Sequence, residues 1–560
     1  MNKGATQSIS AINTNIFHLF HPKKLEERIG RKCPDSFLHP ILFYAHYVFM
    51  LSPSMFSRGN PAWFEEVLHS ISCHLINRVL KNRTAVIASD RLPSCSSGEG
   101  SEAPASPRQM QLLQSWGRVG APASRGQARN DKSRLFQHPV YGEGCIIVST
   151  MLTEDFGLYF HIPFCQRRCG YCDFFSTEGK QKLLPPYMRT LIREVKMIGA
   201  AGERPRAGSV FLGGGTPSLI DPQQIANLME EIRRAFRLDP DAEISLEANP
   251  GTVDYGRLAL YRKAGINRFS LGVQSADDYE LRMLERIHTF SEAVRAFHDA
   301  RRAGFTNVSL DLIYGLPGQT VPMWERTLDR VVSLSPNHLS LYALTLERGT
   351  RLARAVRRGA LPAPEEDAAA DMYELAEEKL AAAGFRHYEI SNWARDDDGK
   401  TANEIKGSIG AGISRFPKFA CKHNLRYWLN LPYLGLGAGA HGCAAGRRYA
   451  NVCSVEKYRE RIRMGKTRRF PLSPAATRSH LRTREEEIRE TMWLGLRLTE
   501  AGVDREEYRR RFGEDYYDRF KNEIDSSLTA GLVEWNGEQT ALRLTPRGRL
   551  LGNRVFRLFV

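Results

Sequence analysis

The stretch from His161 to Phe175 reads HIPFCQRRCGYCDFF and brings three cysteines together at spacings of four and three residues, Cys165, Cys169 and Cys172. Cysteine thiolates bind zinc or iron–sulfur clusters. Structural zinc takes four ligands, and the only nearby fourth donor is the imidazole of His161. The stretch therefore predicts a metal-type site with three thiolates. Zinc with His161, and three unrelated core cysteines, remain the alternatives.

A short β-type run precedes the cysteines, and five similar runs follow along the chain. The six runs are GLYFHI (157–162), SVFLGG (209–214), EISLEA (243–248), RFSLGV (268–273), VSLDLIYG (308–315) and HLSLYAL (338–344). Amphipathic segments such as 221–236 and 291–304 lie between them. Strand–helix alternation predicts parallel strands joined by right-handed crossovers. Six such units predict an α/β fold, a full or partial (β/α)6 barrel of the TIM type.

Residues suited to chemistry lie at the ends of these runs. The cysteines follow the first run and the glycine-rich GGGTPS (213–218) follows the second. Glu247 ends the third run, Gln274 follows the fourth, and Asp311 lies within the fifth. In parallel α/β folds the functional residues gather at the carboxyl ends of the strands, so we expect one shared face.

The composition indicates which cellular compartment and which kinds of binding partner to expect. The 560 residues include 79 Lys and Arg, 63 Asp and Glu, and ten cysteines, with a net charge of +16. Ten cysteines with one tight cluster argue against a secreted disulfide framework and favour a reducing, cytoplasmic compartment. The scattered arginines favour a solvated basic surface, which suits anionic ligands, and we expect no specific nucleic-acid partner.

Composition and pattern divide the chain into five parts. The N-terminal part contains SCSSGEGSEAPASPRQ and lacks periodicity, so it is predicted to be poorly ordered. The parts are a low-complexity extension (1–150), the barrel (151–395), an inserted surface loop (396–422), a connecting segment (423–475) and a small α+β domain (476–560).

The last part has the pattern of a winged-helix-like domain. Two amphipathic helices are predicted at 484–498 and 516–531, followed by a hairpin over 532–545 around the turn pair Asn536-Gly537. We interpret this domain as a cover for the barrel mouth. DNA binding is the weaker interpretation, because fold analogy alone does not give function.

The cysteine spacing C-x-x-x-C-x-x-C resembles the signature of radical S-adenosylmethionine (SAM) enzymes. Their 4Fe–4S cluster has three cysteine ligands, so its fourth iron is free to bind SAM. That resemblance implies a cluster that passes one electron to the sulfonium of SAM and breaks a carbon–sulfur bond.

Six motifs narrow the resemblance to the oxygen-independent coproporphyrinogen III oxidase-like radical SAM family, and the resemblance covers about residues 156–560. The motifs are YFHIPFCQRRCGYCDFFS (159–176), GGGTPSLI (213–220), LEANP (246–250), RFSLGVQS (268–275), LDLIYGLPGQT (310–320) and HNLRYWLNLPYLGLGAGAHG (423–442).

This resemblance also implies the residues that bind SAM. Glycines let backbone amides approach the ligand, Arg286 suits its carboxylate, and Glu247 and Asp311 suit ribose hydroxyls or an amino group. Each charged residue alone could equally form a structural ion pair. The implied set is Tyr159, Tyr171, Gly214, Gly215, Thr216, Glu247, Gln274, Arg286 and Asp311, with Ala343 as a further candidate.

Two features distinguish the branches of the family. The decarboxylating oxidases carry C-x-x-x-C-x-x-C-x-C, and here the fourth-cysteine position is Phe174. HNLRYW resembles the H-N-x-x-Y-W motif of the HemW-type haem chaperones, which is implicated in haem binding. His423 is then the best haem-contacting candidate, with Asn424, Tyr427 and Trp428. The alternative is that His423 and Asn424 hold a loop by hydrogen bonds.

The resemblance therefore implies a haem chaperone with a 4Fe–4S cluster and SAM as cofactors and haem as cargo. Haem proteins of the respiratory chain are the implied acceptors, and contact with the membrane surface and a homodimer are left open. The alternative is an oxygen-independent coproporphyrinogen III oxidase, or another radical SAM enzyme acting on a porphyrin. Phe174 argues against oxidase activity.

Overall fold

The computed structural model describes residues 155–396, 416–466 and 468–560. The predicted extension over 1–150, and most of the insertion predicted at 396–422, lie outside the described residues. Within the described ranges, no helix is long and apolar enough to cross a membrane.

Twelve of the described strands form one mixed sheet. Its order is β14-β13-β12-β11-β1-β4-β5-β6-β7-β8-β10-β9. In chain order the strands are β1 (Asp155–Ile162), β2 (Phe164–Cys165), β3 (Thr177–Glu178), β4 (Arg206–Gly214), β5 (Arg237–Ala248), β6 (Arg268–Gln274), β7 (Asn307–Tyr314), β8 (His338–Ala343), β9 (Phe385–Glu389), β10 (Asn392–Arg395), β11 (Tyr433–Leu436), β12 (His441–Ala444), β13 (Arg447–Asn451), β14 (Ala476–Leu481), β15 (Val503–Asp504), β16 (Val533–Trp535) and β17 (Ala541–Leu544).

The six predicted runs are β1 and β4 to β8, and they pair in parallel in the predicted order. The sheet ends at β14 and β9 and stays open, which confirms the partial α/β barrel. The strands that extend the sheet on either side of the six parallel strands were not predicted from the sequence. β11 pairs in parallel with β1, and β10 pairs antiparallel with β8, so the chain returns to both edges of the barrel after completing it.

Helices connect the parallel strands. The predicted helix 221–236 is α2, capped by the Asp221 side chain, and 291–304 matches α5, which begins with a capping box from Thr289 and Glu292. The helices are α1 (Leu184–Ala201), α2 (Pro222–Ala235), α3 (Tyr255–Ala264), α4 (Asp278–Met283), α5 (Phe290–Arg302), α6 (Val321–Val332), α7 (Arg351–Arg357), α8 (Glu366–Ala382), α9 (Lys422–Trp428), α10 (Val455–Met464), α11 (Arg484–Gly495), α12 (Arg505–Phe512), α13 (Tyr516–Arg519), α14 (Lys521–Thr529), α15 (Pro546–Leu550) and α16 (Gly552–Phe556).

The two faces of the barrel strands differ in chemistry. On β1 the apolar residues Phe156, Leu158, Phe160 and Ile162 are fully buried in the main hydrophobic core. Residues of opposite orientation on the same six strands are largely polar, because successive side chains of a strand point to opposite faces. Buried members of this polar set are Ser209, Glu243, Ser245, Arg268, Ser270, Ser309, His338 and Ser340.

A buried carboxylate joins α1 to the antiparallel flank. Glu194 is 1% exposed and accepts hydrogen bonds from the backbone N–H of Gly437 at 2.8 Å and from the hydroxyl of Tyr458 at 2.7 Å. The Ser473 hydroxyl at 2.5 Å and the Asn451 amide at 3.3 Å donate as well. Burial raises the pKa of Glu194, and these donors oppose that rise. Glu194 thus connects α1 to the turn after β11, to the end of β13, and to α10 and the segment that follows it.

The C-terminal residues form a separate hydrophobic core around helices α11 to α16 and a three-stranded sheet in the order β15-β17-β16. The two predicted helices are present, although the second divides at Phe520 into α13 and α14. The predicted hairpin is present as β16 and β17, and its loop contains the predicted pair Asn536-Gly537. Five residues join β16 to β17, and Gln539 has the positive φ of 56°. The Asn536 side chain accepts the N–H of Thr540 at 2.8 Å and so closes the longer loop.

Replacement of Glu194 by alanine should destabilise the fold. The change leaves the Tyr458 hydroxyl and the Gly437 N–H buried without an acceptor, which costs about 3 kcal/mol of unfolding free energy. Urea unfolding followed by circular dichroism measures it. The control is Glu230→Ala on α2, which removes one exposed ion pair with Arg234 and should change stability by less than about 0.5 kcal/mol. Equal effects of the two variants would contradict the role given to Glu194.

Candidate site at the carboxyl ends of the barrel strands

The cysteine loop crosses the carboxyl end of the barrel. Cys165 lies in β2, which pairs with β3 beyond the loop, and Cys169 and Cys172 lie between them. The Gly170 N–H donates to the Leu284 carbonyl at 3.2 Å, and the Gly170 carbonyl accepts from the Leu352 N–H at 2.9 Å. The loop that follows β1 is therefore held by segments that follow β6 and β8. The cysteine spacing predicted a metal-type site, but nothing in the sequence indicated these backbone hydrogen bonds.

The three thiols lie close enough to influence one another. Burial raises the pKa values of Cys165 and Cys172, and the charge of each neighbouring thiolate raises them further. The Thr216 hydroxyl lies 3.6 Å from the Cys165 sulfur, and Arg286 Nη1 donates to the Cys169 sulfur at 3.3 Å. Three neighbouring thiols suit a cationic metal centre, because metal coordination deprotonates a thiol outright.

No fourth ligand is available from the residues proposed for it. The His161 ring is hydrogen-bonded on both sides, to the Tyr159 hydroxyl at 2.9 Å and to the Phe175 carbonyl at 2.8 Å. Zinc with His161 is therefore not supported. Phe174, at the position of the oxidases' fourth cysteine, is 69% exposed. In the described ranges, no three His, Cys, Asp or Glu side chains surround a single metal-ion position.

The glycine-rich turn after β4 packs directly against the cysteine loop. A Cβ atom on Gly215 would lie 2.8 Å from the Phe164 carbonyl oxygen and 3.0 Å from the Cys165 sulfur. Gly214 has a φ of 117°, a left-handed conformation that favours glycine. A Cβ on Gly213 would lie 3.1 Å from a carboxylate oxygen of Glu247. The three glycines therefore keep a cradle open beside the first thiol.

Two half-buried carboxylates lie below this cradle. Glu247 accepts the Gly214 N–H at 3.0 Å. Burial and the nearby charge of Asp311 raise the pKa of Glu247 to about 7. Burial also raises the pKa of Asp311, although the hydroxyls of Ser270 at 2.9 Å and Ser309 at 3.3 Å donate to it. Asp311 is thus already well supplied with donors, whereas Glu247 has a single hydrogen-bond donor among the described residues and can accept from a ligand.

Arg286 spans the other side of the cradle. Its Nη2 donates to the Gly272 carbonyl at 2.7 Å and also contacts the Asn249 side chain, while Nε is buried without a partner. Gln274 has a φ of 70° at the irregularity that ends β6. The side chains of Gln274 and Arg286 both lie beside the Gly272 position. Arg286 also stabilises the charged form of Tyr171 and opposes the rise in its pKa that burial causes.

These residues fit the cofactors of a radical SAM protein. The three thiols, the glycine cradle, an unpartnered guanidinium N–H and an under-supplied carboxylate converge on one end of the barrel. Cys165, Cys169 and Cys172 would hold the cluster, and Gly214, Gly215, Thr216, Glu247, Gln274 and Arg286 would surround the ligand. When bound, the cluster supplies one electron to SAM.

Tyr159 and Ala343 are the first and last of the predicted SAM positions along the chain. The structure does not place them among the residues that surround the cradle. The Tyr159 ring stacks 6.2 Å from Phe211 and 6.4 Å from His423, and its hydroxyl is bonded to His161. Burial raises the pKa of Tyr159. Ala343 ends β8 and is exposed. Their part in ligand binding stays a prediction.

The histidine motif forms α9, and its imidazole enters the barrel. His423 is 1% exposed, with Nδ1 at 2.9 Å from the Ser209 hydroxyl and Nε2 at 3.0 Å from the Tyr427 hydroxyl. Burial lowers the pKa of His423 to about 3, so the ring is neutral. This geometry corresponds to the hydrogen-bonding alternative from the sequence. Haem contact by His423 stays a prediction, and it requires Tyr427 to release Nε2.

Glu243 is a residue of this region that sequence reasoning missed. Its carboxylate accepts the N–H of Lys422 at 3.1 Å and of His423 at 3.2 Å, and the Cys421 thiol donates to it at 3.4 Å. At the other end of α9, Arg426 forms a buried ion pair with Asp155. The alternation in EISLEA was the only available signal, since it places Glu243 on the same face as Glu247.

The remaining motif residues lie at the edge of the barrel. Tyr427 and Trp428 are half-buried, as is Asn424. The Tyr427 ring meets Tyr433 edge to face at 4.6 Å. Trp428 packs beneath the Arg497 guanidinium at 4.3 Å, and its indole Nε1 is buried without a hydrogen-bond partner.

Comparison with known proteins agrees with this reading. The profile of the radical SAM superfamily matches residues 159–331, and that of the HemN C-terminal domain matches 483–551. The chain is 36% identical to the haem chaperone HemW of Bacillus subtilis (strain 168) over 403 residues, 72% of this chain and 98% of that protein. It is 37% identical to HemW of Mycobacterium tuberculosis (strain H37Rv) over 413 residues, 73% of this chain and 96% of that protein.

Among solved structures, coproporphyrinogen III oxidase (HemN) from Escherichia coli aligns with a TM-score of 0.61 at 24% identity. The alignment covers 75% of this chain and 93% of that one, and it is a likeness of fold.

The fold and the cluster site thus define a radical SAM protein, a class that implies a 4Fe–4S cluster and SAM. Identity above 30% over almost the full length of several relatives is more specific. The chain belongs to the HemW family.

Adding one methyl group at Gly215 should prevent cluster assembly. In Gly215→Ala the new Cβ would collide with the Phe164 backbone and displace the Cys165 sulfur. Iron and acid-labile sulfide after anaerobic reconstitution should fall by at least about half. Gly251→Ala is the matched control, because nothing lies within 4 Å of its Cβ. Full cluster content in Gly215→Ala would show that this contact is not needed.

Glu247 should make stability depend on pH. Its folded pKa of about 7 exceeds the unfolded value of 4.5. Its contribution is therefore fully present below pH 4.5 and is lost as the pH rises through 7. The unfolding free energy of the wild type should fall more steeply between about pH 5 and pH 8 than that of Glu247→Gln. Parallel curves from urea titrations would mean that Glu247 titrates normally.

Proposed function

We propose that this chain binds haem and delivers it to haem-dependent proteins. The observation that carries the proposal is the near full-length similarity to proteins named haem chaperone HemW. Phe174 supports it, because the position that holds a cysteine in the motif of the decarboxylating oxidases has no thiol here.

The proposed haem contact involves α9 and the half-buried aromatic residues beside it. Tyr427 and Trp428 offer faces on which a porphyrin could stack. His423 is neutral and therefore able to bind iron, once the Tyr427 hydroxyl leaves its Nε2. Asn424 lies half-buried on the same helix. Haem binding would then open the edge of the barrel between α9 and β11.

We further propose that the acceptors are haem proteins of the respiratory chain and that delivery starts from the cytoplasm. A net charge of +16 favours encounter with acidic acceptors or with a negatively charged membrane surface. A homodimer would be compatible with these roles, and sedimentation velocity of the reconstituted protein tests it.

The second candidate function is oxygen-independent coproporphyrinogen III oxidation. The common fold with HemN from Escherichia coli is the observation in its favour. The exposed phenyl ring of Phe174 at the motif's fourth position speaks against it. The two functions predict different products from the same reconstituted protein.

The test uses the full chain, reconstituted anaerobically with iron and sulfide. Haem is titrated by absorbance, and the loaded protein is then mixed with a haem-free b-type cytochrome. The proposal predicts tight haem binding and transfer that is faster than from an equal concentration of haem bound to albumin. Coproporphyrinogen with SAM and a reductant should remain unchanged. Absence of haem binding, or a decarboxylated product, would contradict the proposal.

Replacement of His423 separates haem contact from a structural role. His423→Ala should weaken haem binding at least about tenfold if the imidazole contacts iron, which corresponds to about 1.4 kcal/mol. Ser209→Ala is the matched control, since it removes the hydrogen bond to Nδ1 but keeps the imidazole. If haem binding weakens in both His423→Ala and Ser209→Ala, or in neither, His423 does not contact the haem iron.

A further inference from the structure

A groove lined by arginines lies between α1 and α10. It has a volume of about 440 Å3, and Arg189 and Arg193 of α1 face Arg459 and Arg463 of α10 across it. Within the described ranges none of the four guanidinium groups has an ion pair or a hydrogen-bond acceptor. The Nε of Arg459 is buried without a partner. Four arginines along one groove attract anionic partners.

A buried hydrogen bond joins the two helices that form the groove. Tyr458 of α10 donates to Glu194 of α1 at 2.7 Å, and its ring lies 5.2 Å from that of Tyr187. At the edge, Lys180 pairs with Glu456 at 2.8 Å, so Glu456 is neutralised. Glu460 is the remaining carboxylate in the lining. The four arginines therefore outnumber the two carboxylates, and the lining has a net positive charge.

The identity and spacing of the arginines indicate which kind of anion fits the groove. Arg189 and Arg193 are four residues apart on one helix, and so are Arg459 and Arg463, so each pair is about 6 Å apart, one helical turn. Carboxylates one turn apart on an acidic helix match this spacing, and arginine binds carboxylates with two parallel hydrogen bonds. Arginine is also the cation enriched in protein interfaces, and no lysine lines the groove.

We propose that this groove is the docking site for an acidic helix of the protein that receives haem. The inference rests on the proposed chaperone function and names the surface by which the acceptor is recognised. A flat bilayer cannot enter a groove between two helices. Among the described residues, no aromatic side chain lines the groove for base stacking, which disfavours single-stranded nucleic acid as the occupant.

A second copy of this chain is the main competing occupant. Helix α8 carries an exposed acidic row with one-turn spacing, Asp367, Asp371, Glu374 and Glu378. Such a contact would join two different patches of identical chains, and it would propagate into open assemblies unless the rotation closes. An acceptor helix forms a complex of defined size without that requirement.

The test measures binding of a fluorescent alanine-based peptide of about 15 residues with glutamates one turn apart. The reconstituted full chain should bind it, and should not bind the same peptide with glutamines. Arg193→Glu with Arg463→Glu should weaken binding at least about tenfold, and raising salt from about 50 to 500 mM should weaken wild-type binding. The matched control is Arg554→Glu with Arg557→Glu, the same charge change on exposed arginines of the C-terminal domain.

Haem titration of the same variants separates this inference from the proposed function. The groove variant should bind haem like the wild type while losing the peptide. Equal peptide binding by the groove and control variants would overturn the docking site and leave haem binding untouched. Tighter binding of a peptide with the sequence of residues 364–383, with self-association that the groove variant abolishes, would reassign the groove to a second copy. Equal affinity for a single-stranded oligonucleotide would also overturn the proposal.

Discussion

The site depends on one close contact, between the glycine turn after β4 and the cysteine loop after β1. Gly215 lies so near the Phe164 backbone and the Cys165 sulfur that no side chain fits. The contact fixes the first thiol relative to the cradle, and the bonds of Gly170 to the segments after β6 and β8 fix the other two. A loop that carries metal ligands is thereby as well positioned as a strand.

Strand β5 connects this site to the histidine motif at the opposite end of the barrel. Its carboxylate Glu247 faces the cradle, and four residues earlier Glu243 holds the start of α9. Both side chains project from the same face of one strand into the polar interior of the barrel. The interior of this barrel is therefore a polar network that supports both ends, with His423 as one of its members.

The repeating part of the fold and the grouping of the three thiols were predictable from the sequence. Six β-rich runs separated by amphipathic segments carry a local signal, and the thiols are adjacent in sequence. The flanking strands were not predictable, because β11 to β14 are short and β11, which pairs with β1, lies far from β1 in the sequence. The burial of His423 depends on Ser209, Glu243 and Asp155, each more than a hundred residues away, so its motif alone suggested a ligand. Glu194 and the arginine groove likewise arise from contacts between distant helices.

The central claim is that three thiolates hold three of four irons and leave one for SAM. Mössbauer spectroscopy of protein reconstituted anaerobically with 57Fe tests it most directly. The account predicts a four-iron cluster in which one iron changes its isomer shift when SAM is added. Tetrahedral zinc in place of the cluster, the absence of inorganic sulfide, or four irons that do not respond to SAM would contradict it.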